Sequence, residues 1–488
     1  MQSIEYAILK SGKKVPYIYR PDPPCGGMKH TFFAPDKSYV VQFFNDFCMS
    51  EDIELHKRLD AIIGRYNPTI SEEEGGASGN TEALANYFSN CFCWPKDIVV
   101  EPEFGIICPT YPKKFFFDET ASDVLNLRGK DKISTWFTYK NRRYLNKEEL
   151  GTFKGILQMS LQLARAVRRM HQAGLAHSDL SCNNVLIDPK SGSCIIIDID
   201  TLVVPEMFPP KVIGTRGYIA PEILESLVLP YRQRKTPGIY TDLHSLAVLI
   251  YEYIFCRHPL LGKKIYSNSE QENDFLTLGP KALFIEDLKD FSNRPSNLNM
   301  TIKDVGSILE DLFLRAFTEG LHNPHLRPTA MEWERGLSQT LDMLYKCPNK
   351  NCVKEWFVLY DINNVKCPFC CSKVKDKEIV RFCIKKKLKS IKGQWIDVCD
   401  INVYDGMPIY KWHIYDNLYN DEKTDRQVQA LIKKENDKWF FINKEIEGVI
   451  SPTGDIVPKN NKMEIKDKDF FITNSSEHNL LVEVEIIK

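Results

Sequence analysis

The segment His177–Asn184 reads HSDLSCNN, and a little further along the chain Ile195–Asp198 reads IIID. The first segment follows Gly174, and glycine favours the end of a helix because it readily adopts the left-handed conformation found there. The second segment is a short apolar run, typical of a buried strand, that ends in a carboxylate. Together the two segments predict a polar loop held between a helix and a strand.

Three oxygen-bearing side chains in these segments suit phosphoryl transfer. That reaction needs a carboxylate that accepts the proton of the attacking hydroxyl, and oxygen ligands that hold Mg²⁺ against nucleotide phosphates. Asp179 is the candidate base, and Asn184 and Asp198 are the candidate magnesium ligands. Each residue alone has an ordinary structural explanation, such as capping a turn. The complete set, in this order and context, favours a catalytic site.

The order of these residues resembles that of protein kinases, H-x-D-L-x-x-x-N followed by an aspartate-led triplet. The resemblance spans roughly residues 15–340 and includes three more segments. Gly214–Glu222 resembles the loop that ends in the A-P-E motif, Asp242–Ala247 the start of the central large-lobe helix, and Arg327 the arginine that pairs with the A-P-E glutamate. The resemblance implies a bilobal α+β fold that uses ATP and Mg²⁺. It also implies that Asp242 braces the catalytic loop.

The lysine that kinases carry on their third small-lobe strand is absent. The matching segment, Ser38–Phe44, has Gln42 at that place, and a neutral amide cannot stabilise phosphate charge as an ammonium does. CGGMKHTF at Cys25–Phe32 resembles the glycine-rich loop with Lys29 in the place of its third glycine, as in with-no-lysine kinases. The resemblance implies that Lys29 contacts the phosphates instead.

The helix-like segment Met49–Ile63 is expected to supply the acidic partner of this lysine. Glu51 and Glu54 are both candidates, and Glu54 is preferred. Asp200 stands where the usual triplet has glycine, and it either assists metal binding or faces solvent. The implied nucleotide-binding residues are Gly26, Gly27, Lys29, Glu54, Asn184 and Asp198.

Helical patterns dominate residues 150–345. Apolar residues recur three or four positions apart on one predicted helix face: Ile156, Met159, Leu163, Val167 and Met170. A second apolar segment, Leu246–Phe255, is short enough to be a core helix rather than a membrane span, which needs about 20 residues.

Four cysteines form two closely spaced pairs, Cys347 with Cys352 and Cys367 with Cys370. Four thiolates make the closed tetrahedral shell of a structural zinc site. The neighbouring Cys371 is an alternative ligand. We therefore predict a zinc ribbon at 346–373 whose fold depends on Zn²⁺.

Short β-type runs separated by turn residues fill the rest of the chain. Trp439–Ile442, Phe470–Thr473 and the alternating Val482 and Val484 are examples. These runs look similar to the second half of a forkhead-associated β-sandwich, without the signature residues that read phosphothreonine. The predicted domains are a kinase small lobe at 1–108, a large lobe at 109–345, the ribbon at 346–373 and the sandwich at 378–488.

Composition limits the expected partners. Lys+Arg number 64 against Asp+Glu 65, a formal charge of −1, which gives no reason to expect nucleic acid or a membrane. Met1–Glu5 lacks the layout of a signal peptide, so a cytoplasmic protein is expected. The overall layout looks like bacterial kinases from tellurite-resistance-type gene clusters. That likeness implies a partner phosphatase and a von Willebrand A protein, beside a protein substrate.

Three functional hypotheses remain open from the sequence. The first is an active kinase that transfers the ATP γ-phosphate to serine or threonine hydroxyls. The second is a nucleotide-binding pseudokinase that acts as a scaffold, and the third is a small-molecule kinase. Asp179, Asn184 and Asp198 are all present, which favours the first hypothesis because a degraded site is expected to lack at least one of them.

Overall fold

The computed structural model describes residues 3–24, 29–45, 50–118, 125–138, 140–204, 213–360, 365–374, 378–388 and 393–487. The chain divides into two compact units. The first unit comprises Met1–Gly151, Gln158–Leu298 and Leu312–Glu334, and the second comprises Thr152–Leu157, Asn299–Asp311 and Arg335–Lys488.

The first unit opens with an antiparallel six-stranded sheet of order β2-β1-β5-β6-β4-β3. Its elements are β1 Ser3–Leu9, β2 Lys14–Tyr19, β3 Lys29–Phe33, β4 Tyr39–Phe44, α1 Ile53–Ile63, α2 Glu82–Ser89, β5 Asp97–Glu101 and β6 Gly105–Pro109. Asp52 caps α1, because its carboxylate accepts hydrogen bonds from the backbone N–H groups of Glu54 and Leu55, both at 3.0 Å. Leu55 and Leu59 pack α1 against β4 in one shared core.

A helical part follows the sheet. Its elements are α3 Thr135–Thr138, α4 Phe153–Gln172, β7 Val185–Asp188, β8 Ser193–Ile196, α5 Pro221–Ser226, α6 Ile239–Phe255, α7 Glu270–Leu278, α8 Ser307–Phe317 and α9 Ala330–Asp342. The predicted stripe on α4 is confirmed, since all five of its residues are buried. The core helix predicted at Leu246–Phe255 is also confirmed, as the buried C-terminal part of α6. The β7–β8 hairpin carries the loop at 177–184 on one side and Asp198 on the other.

The second unit ends in two antiparallel sheets whose inner faces share one hydrophobic core. Its strands are β9 Leu344–Lys346, β10 Trp356–Val358, β11 Ile379–Lys387, β12 Trp395–Val403, β13 Pro408–Ile409, β14 Ala430–Glu435, β15 Lys438–Asn443, β16 Val449–Ile450, β17 Ile456–Val457, β18 Lys462–Ile465, β19 Phe470–Ile472 and β20 Leu480–Ile487. The larger sheet has the order β12-β11-β20-β19-β16-β17 and the smaller one β13-β14-β15-β18. The three runs quoted from the sequence are β15, β19 and β20.

Among the described residues, no helix is both long and apolar enough to cross a membrane. The predicted mixture of a helix-and-sheet part and a C-terminal all-β part is confirmed.

Candidate active site

Hydrogen bonds to Asp242, a residue of α6, hold the start of the loop at 177–184. Asp242 is 1% exposed, and its carboxylate accepts hydrogen bonds from the backbone N–H of His177 at 2.7 Å and of Ser178 at 3.1 Å. Ser178 has a φ of 65°, a conformation that costs energy for a residue with a Cβ and needs such support. The expectation that Asp242 braces this loop is confirmed.

Asp179 lies on the braced loop, and its carboxylate accepts two hydrogen bonds. The side-chain amide of Asn184 donates to its Oδ2 at 3.1 Å and to its backbone carbonyl at 2.8 Å. The hydroxyl of Thr215 donates to its Oδ1 at 2.8 Å. These donors hold the carboxylate in one orientation. The sequence did not single out Thr215, although it lies in the quoted segment Gly214–Glu222.

Asp198 and Lys29 meet at the same site from opposite parts of the first unit. Asp198 follows β8 in the left-handed conformation, with φ 56° and ψ 42°, and its side chain is 44% exposed. Lys29 begins β3, and its ammonium lies 3.2 Å from Asp198 Oδ1 and 2.6 Å from Asp200 Oδ1. Burial lowers the pKa of Lys29, but the carboxylates of Asp200 and Asp198 outweigh it and raise that pKa above its ordinary value. Lys29 is therefore a buried, charged group.

Gln42, at the place of the missing lysine, contacts the neighbouring strand. It lies on β4 opposite Thr31 and donates a hydrogen bond to the Thr31 hydroxyl at 3.2 Å. Gly26 and Gly27, which are predicted to contact phosphates, lie outside the described residues.

The acidic partner of Lys29 expected on α1, Glu54, does not lie on the buried face of that helix. Glu54 is exposed in the first turn of α1, and in the described part of the chain the ion pairs of Lys29 are with Asp198 and Asp200. The charged residue on the buried face is Arg58, which is 6% exposed. The structure therefore does not bring Glu54 to the lysine.

A cavity of about 570 Å³ in the first unit is lined in part by Gln42 and Thr31. Val40 and Ile133 form apolar walls, and Tyr111, Phe116 and Trp136 add aromatic ones. This volume is in the usual range for a small-molecule site, and apolar and aromatic walls suit a flat ring system.

Residues 130–333 match the family model described as "Protein kinase domain". This part of the chain is therefore similar to a protein kinase domain. The match covers Asp179, Asn184, Asp198 and Asp242, whereas Lys29 precedes it.

Similar proteins include mammalian, amoebal and bacterial ones. Citron Rho-interacting kinase of Mus musculus is 33% identical over 121 residues, which are 24% of this chain and 6% of that protein. Probable serine/threonine-protein kinase gdt4 of Dictyostelium discoideum is 35% identical over 109 residues, 21% of this chain and 6% of that protein. Serine/threonine-protein kinase PknD of Chlamydia felis is 29% identical over 136 residues, 24% of this chain and 13% of that protein. The chain thus spans only a small part of these relatives.

The matched residues 130–333 also contain the predicted buried pair of Glu222 and Arg327. The guanidinium donates to both carboxylate oxygens, at 2.8 and 2.7 Å, and also to the backbone carbonyl of Gly320 at 2.8 Å. These two parallel hydrogen bonds join the start of α5 to the segment before α9. The predicted pairing of Arg327 with Glu222 is therefore confirmed.

The four predicted cysteines lie together in the second unit. Their sulfur atoms are all within 4.8 Å of one another, with Cys347 and Cys370 at 3.5 Å and Cys352 and Cys367 at 3.9 Å. Tetrahedral zinc with Zn–S bonds near 2.3 Å requires sulfur separations of about 3.8 Å, so the cluster fits the ion. The alternative ligand Cys371 is exposed and is not part of the cluster.

Local hydrogen bonds shape the cysteine cluster. The β9–β10 hairpin positions Cys347, whose N–H donates to the Glu355 carbonyl at 2.6 Å. Burial raises the pKa of Cys347 to about 11. Burial also acts against the thiolate of Cys370, but hydrogen bonds to Ser372 and the neighbouring thiols lower its pKa to about 6. Cys370 is thus more ready than Cys347 to offer the deprotonated form that binds metal.

Proposed function

We propose that this chain is an ATP-dependent protein kinase that transfers the γ-phosphate to serine or threonine hydroxyls. The observation that carries the proposal is the arrangement of Asp179. Its carboxylate is oriented by Asn184 and Thr215 within the loop that Asp242 braces. A carboxylate held in this way suits a group that must accept a proton in one defined direction.

The residues present fit ATP with Mg²⁺, which supplies the transferable phosphoryl group and neutralises its developing charge. Asn184 and Asp198 would hold the metal. The Asp198 carboxylate is half-exposed, and the Asn184 side chain, with its nitrogen engaged by Asp179, has its oxygen left for a metal. Both are the oxygen ligands that Mg²⁺ prefers.

Lys29 would hold the nucleotide phosphates in place of the lysine missing at Gln42. The support is its position: the ammonium is 3.2 Å from Asp198, so it lies where phosphates bound to the same metal would be. Gly26 and Gly27, which precede β3 in the sequence, would also contact the phosphates. The cavity bounded by Val40, Ile133 and Tyr111 would take the base.

Asp179 would orient the substrate hydroxyl and accept its proton as the phosphoryl group transfers. Relatives named serine/threonine-protein kinases support that substrate class.

The second unit would provide a structural zinc ribbon and a partner-recruiting sandwich. Cys347, Cys352, Cys367 and Cys370 would bind Zn²⁺. The paired sheets are consistent with a forkhead-associated-like fold. We also propose that the chain is a cytoplasmic kinase of the tellurite-resistance type. Its partners would be a phosphatase and a von Willebrand A protein. The domain boundaries at 108, 345 and 373 remain predictions.

The decisive test measures transfer of labelled γ-phosphate from ATP to a generic protein substrate in the presence of Mg²⁺. Asp198→Ala should abolish transfer, and Lys29→Ala should lower it by about a hundredfold or more, the usual cost of losing one preorganised charge contact. Lys10→Ala is the matched control, because Lys10 is an exposed lysine paired with Asp60 on α1.

The outcomes separate the parts of the proposal. No transfer by the wild-type chain under any metal condition would overturn the kinase function. ATP binding without transfer would instead identify a pseudokinase. Full activity of Lys29→Ala would remove the lysine from the mechanism and leave the kinase intact.

A further inference from the structure

Asp200 is an acidic residue that the usual kinase arrangement does not contain. Its side chain is 5% exposed and its Oδ1 lies 2.6 Å from the Lys29 ammonium, closer than Asp198 at 3.2 Å. Of the two alternatives left open for Asp200, metal binding or exposure to solvent, the burial of its side chain therefore contradicts the second. A buried carboxylate requires a charged partner, because removing an unpaired charge from water is costly.

Helix α1 packs against the turn that contains Asp200, Ile199–Thr201. Arg58 is the charged residue on the buried face of that helix. Burial lowers the pKa of Arg58, whereas Asp52, Glu54 and Asp200 act in the opposite direction. Asp200 thus lies within electrostatic reach of two buried cations, one on β3 and one on α1.

The two carboxylates beside Lys29 differ in their access to a ligand. Asp198 is 44% exposed at its side chain, whereas Asp200 is 5% exposed. One carboxylate cannot fully neutralise an ammonium and also ligate a metal ion with the same oxygens. If Asp200 satisfies Lys29, Asp198 is left available to Mg²⁺.

We propose that Asp200 is a positioning residue that holds Lys29 at the phosphate site. Asp200 also connects Lys29 to α1 through Arg58. Because Asp200 neutralises Lys29, Asp198 is left for Mg²⁺. Kinases ordinarily make this link with a glutamate on the small-lobe helix, paired with the strand lysine. Here the carboxylate is on the loop after β8 and the helix carries a cation. This inference rests on the proposed nucleotide site of the kinase domain.

The experiment measures ATP binding to the full chain by competition with a fluorescent ATP analogue, as a function of free Mg²⁺. In Asp200→Asn, Asp198 is the one charged partner that Lys29 retains among the described residues, and Lys29 competes with Mg²⁺ for it. The Mg²⁺ concentration for half-maximal binding should rise about tenfold, in line with the loss of one charge-assisted contact. Asp60→Asn is the matched control, because Asp60 is an exposed aspartate on α1.

A double-mutant cycle tests the link to the helix. Arg58→Gln should raise the Mg²⁺ requirement in the wild-type background and have no further effect in Asp200→Asn, because residues acting through one contact are not additive. If Asp200→Asn does not fold, Arg58→Gln is compared with Arg58→Lys in the wild-type background. Arg58→Gln should raise the Mg²⁺ requirement and Arg58→Lys, which keeps the charge, should retain most of the wild-type response; an unchanged requirement in Arg58→Gln overturns the link.

Each outcome decides between the two proposals. An Asp200→Asn curve that overlays that of Asp60→Asn, or additive effects in the cycle, overturns the positioning role even when the wild-type chain transfers phosphate. Coupling between Arg58 and Asp200 without any phosphoryl transfer upholds the positioning role and overturns the kinase activity. A wild-type chain that binds no ATP at any Mg²⁺ concentration overturns both.

Discussion

At the scale of single residues, the carboxylate of Asp179 is held by one contact from its own loop and one from a distant segment. Asn184 lies five positions away, whereas Thr215 approaches from the segment that precedes α5. The Thr215 hydroxyl thus links the orientation of the proposed base to the segment that would face a protein substrate.

Removal of this hydroxyl should slow transfer without weakening ATP binding. Thr215→Ala is expected to lower kcat by about tenfold, because one hydrogen bond to a charged group contributes roughly 1.5–3 kcal/mol. Thr215→Ser keeps a hydroxyl at the same place and should retain most of the activity. The check is steady-state kinetics with varied ATP, and an unchanged kcat for Thr215→Ala would contradict the role.

The sequence predicted some of these residues and not others, for a physical reason. Asp179 and Asn184 lie in one short segment, so their proximity follows from chain connectivity. The contact of Lys29 with Asp200 joins residues 171 positions apart, and no local pattern determines it. Arg58 did leave a local signal, since it falls within the stripe of buried residues Leu55, Leu59 and Ile62 on α1.

At the scale of elements, the contact between Glu222 and Arg327 fixes α5 to the segment that precedes α9. The side chains of both residues are at least nine-tenths buried, and the guanidinium makes parallel contacts to both carboxylate oxygens. A buried pair of this kind constrains geometry, because either charge left alone is poorly solvated.

Arg327→Ala should lower the free energy of unfolding by about 3–5 kcal/mol, since it leaves Glu222 buried and unpaired. Arg315→Ala is the matched control: Arg315 pairs with Glu332, and both side chains are more than a third exposed, so a loss of about 1 kcal/mol or less is expected. Urea denaturation of both variants gives the comparison. Equal losses would show that the buried pair is not the main contact between these elements.

At the scale of the whole molecule, the sequence predicted the strands of the second unit better than their pairing. Alternating residues indicated β20, because Val482 and Val484 face the core while Glu483 and Glu485 do not. The sheet places β20 beside β11, about a hundred residues earlier, and between β11 and β19. Such long-range pairing depends on packing between the two sheets rather than on the pattern of either strand.

The cysteine cluster gives the two units different expected responses to metal removal. All four cysteines belong to the second unit, and Cys347, Cys352 and Cys367 form a small core with Phe357, Leu359 and Ile379. Because so small a core contributes little apolar burial of its own, its fold should depend on Zn²⁺. Chelation should therefore lower the melting temperature of the second unit and leave the transition of the first unit unchanged.

Cys347→Ser should reproduce the effect of chelation and reduce bound zinc, measured by elemental analysis, from about one ion per chain to near zero, as expected for a site that needs four ligands. Cys371→Ser is the control, because Cys371 is adjacent in sequence to the cluster but exposed and outside it. Loss of zinc in Cys371→Ser with retention in Cys370→Ser would assign the fourth ligand to Cys371. Purified wild-type protein without zinc, with melting unaffected by chelation, would show that apolar packing alone holds this part of the chain.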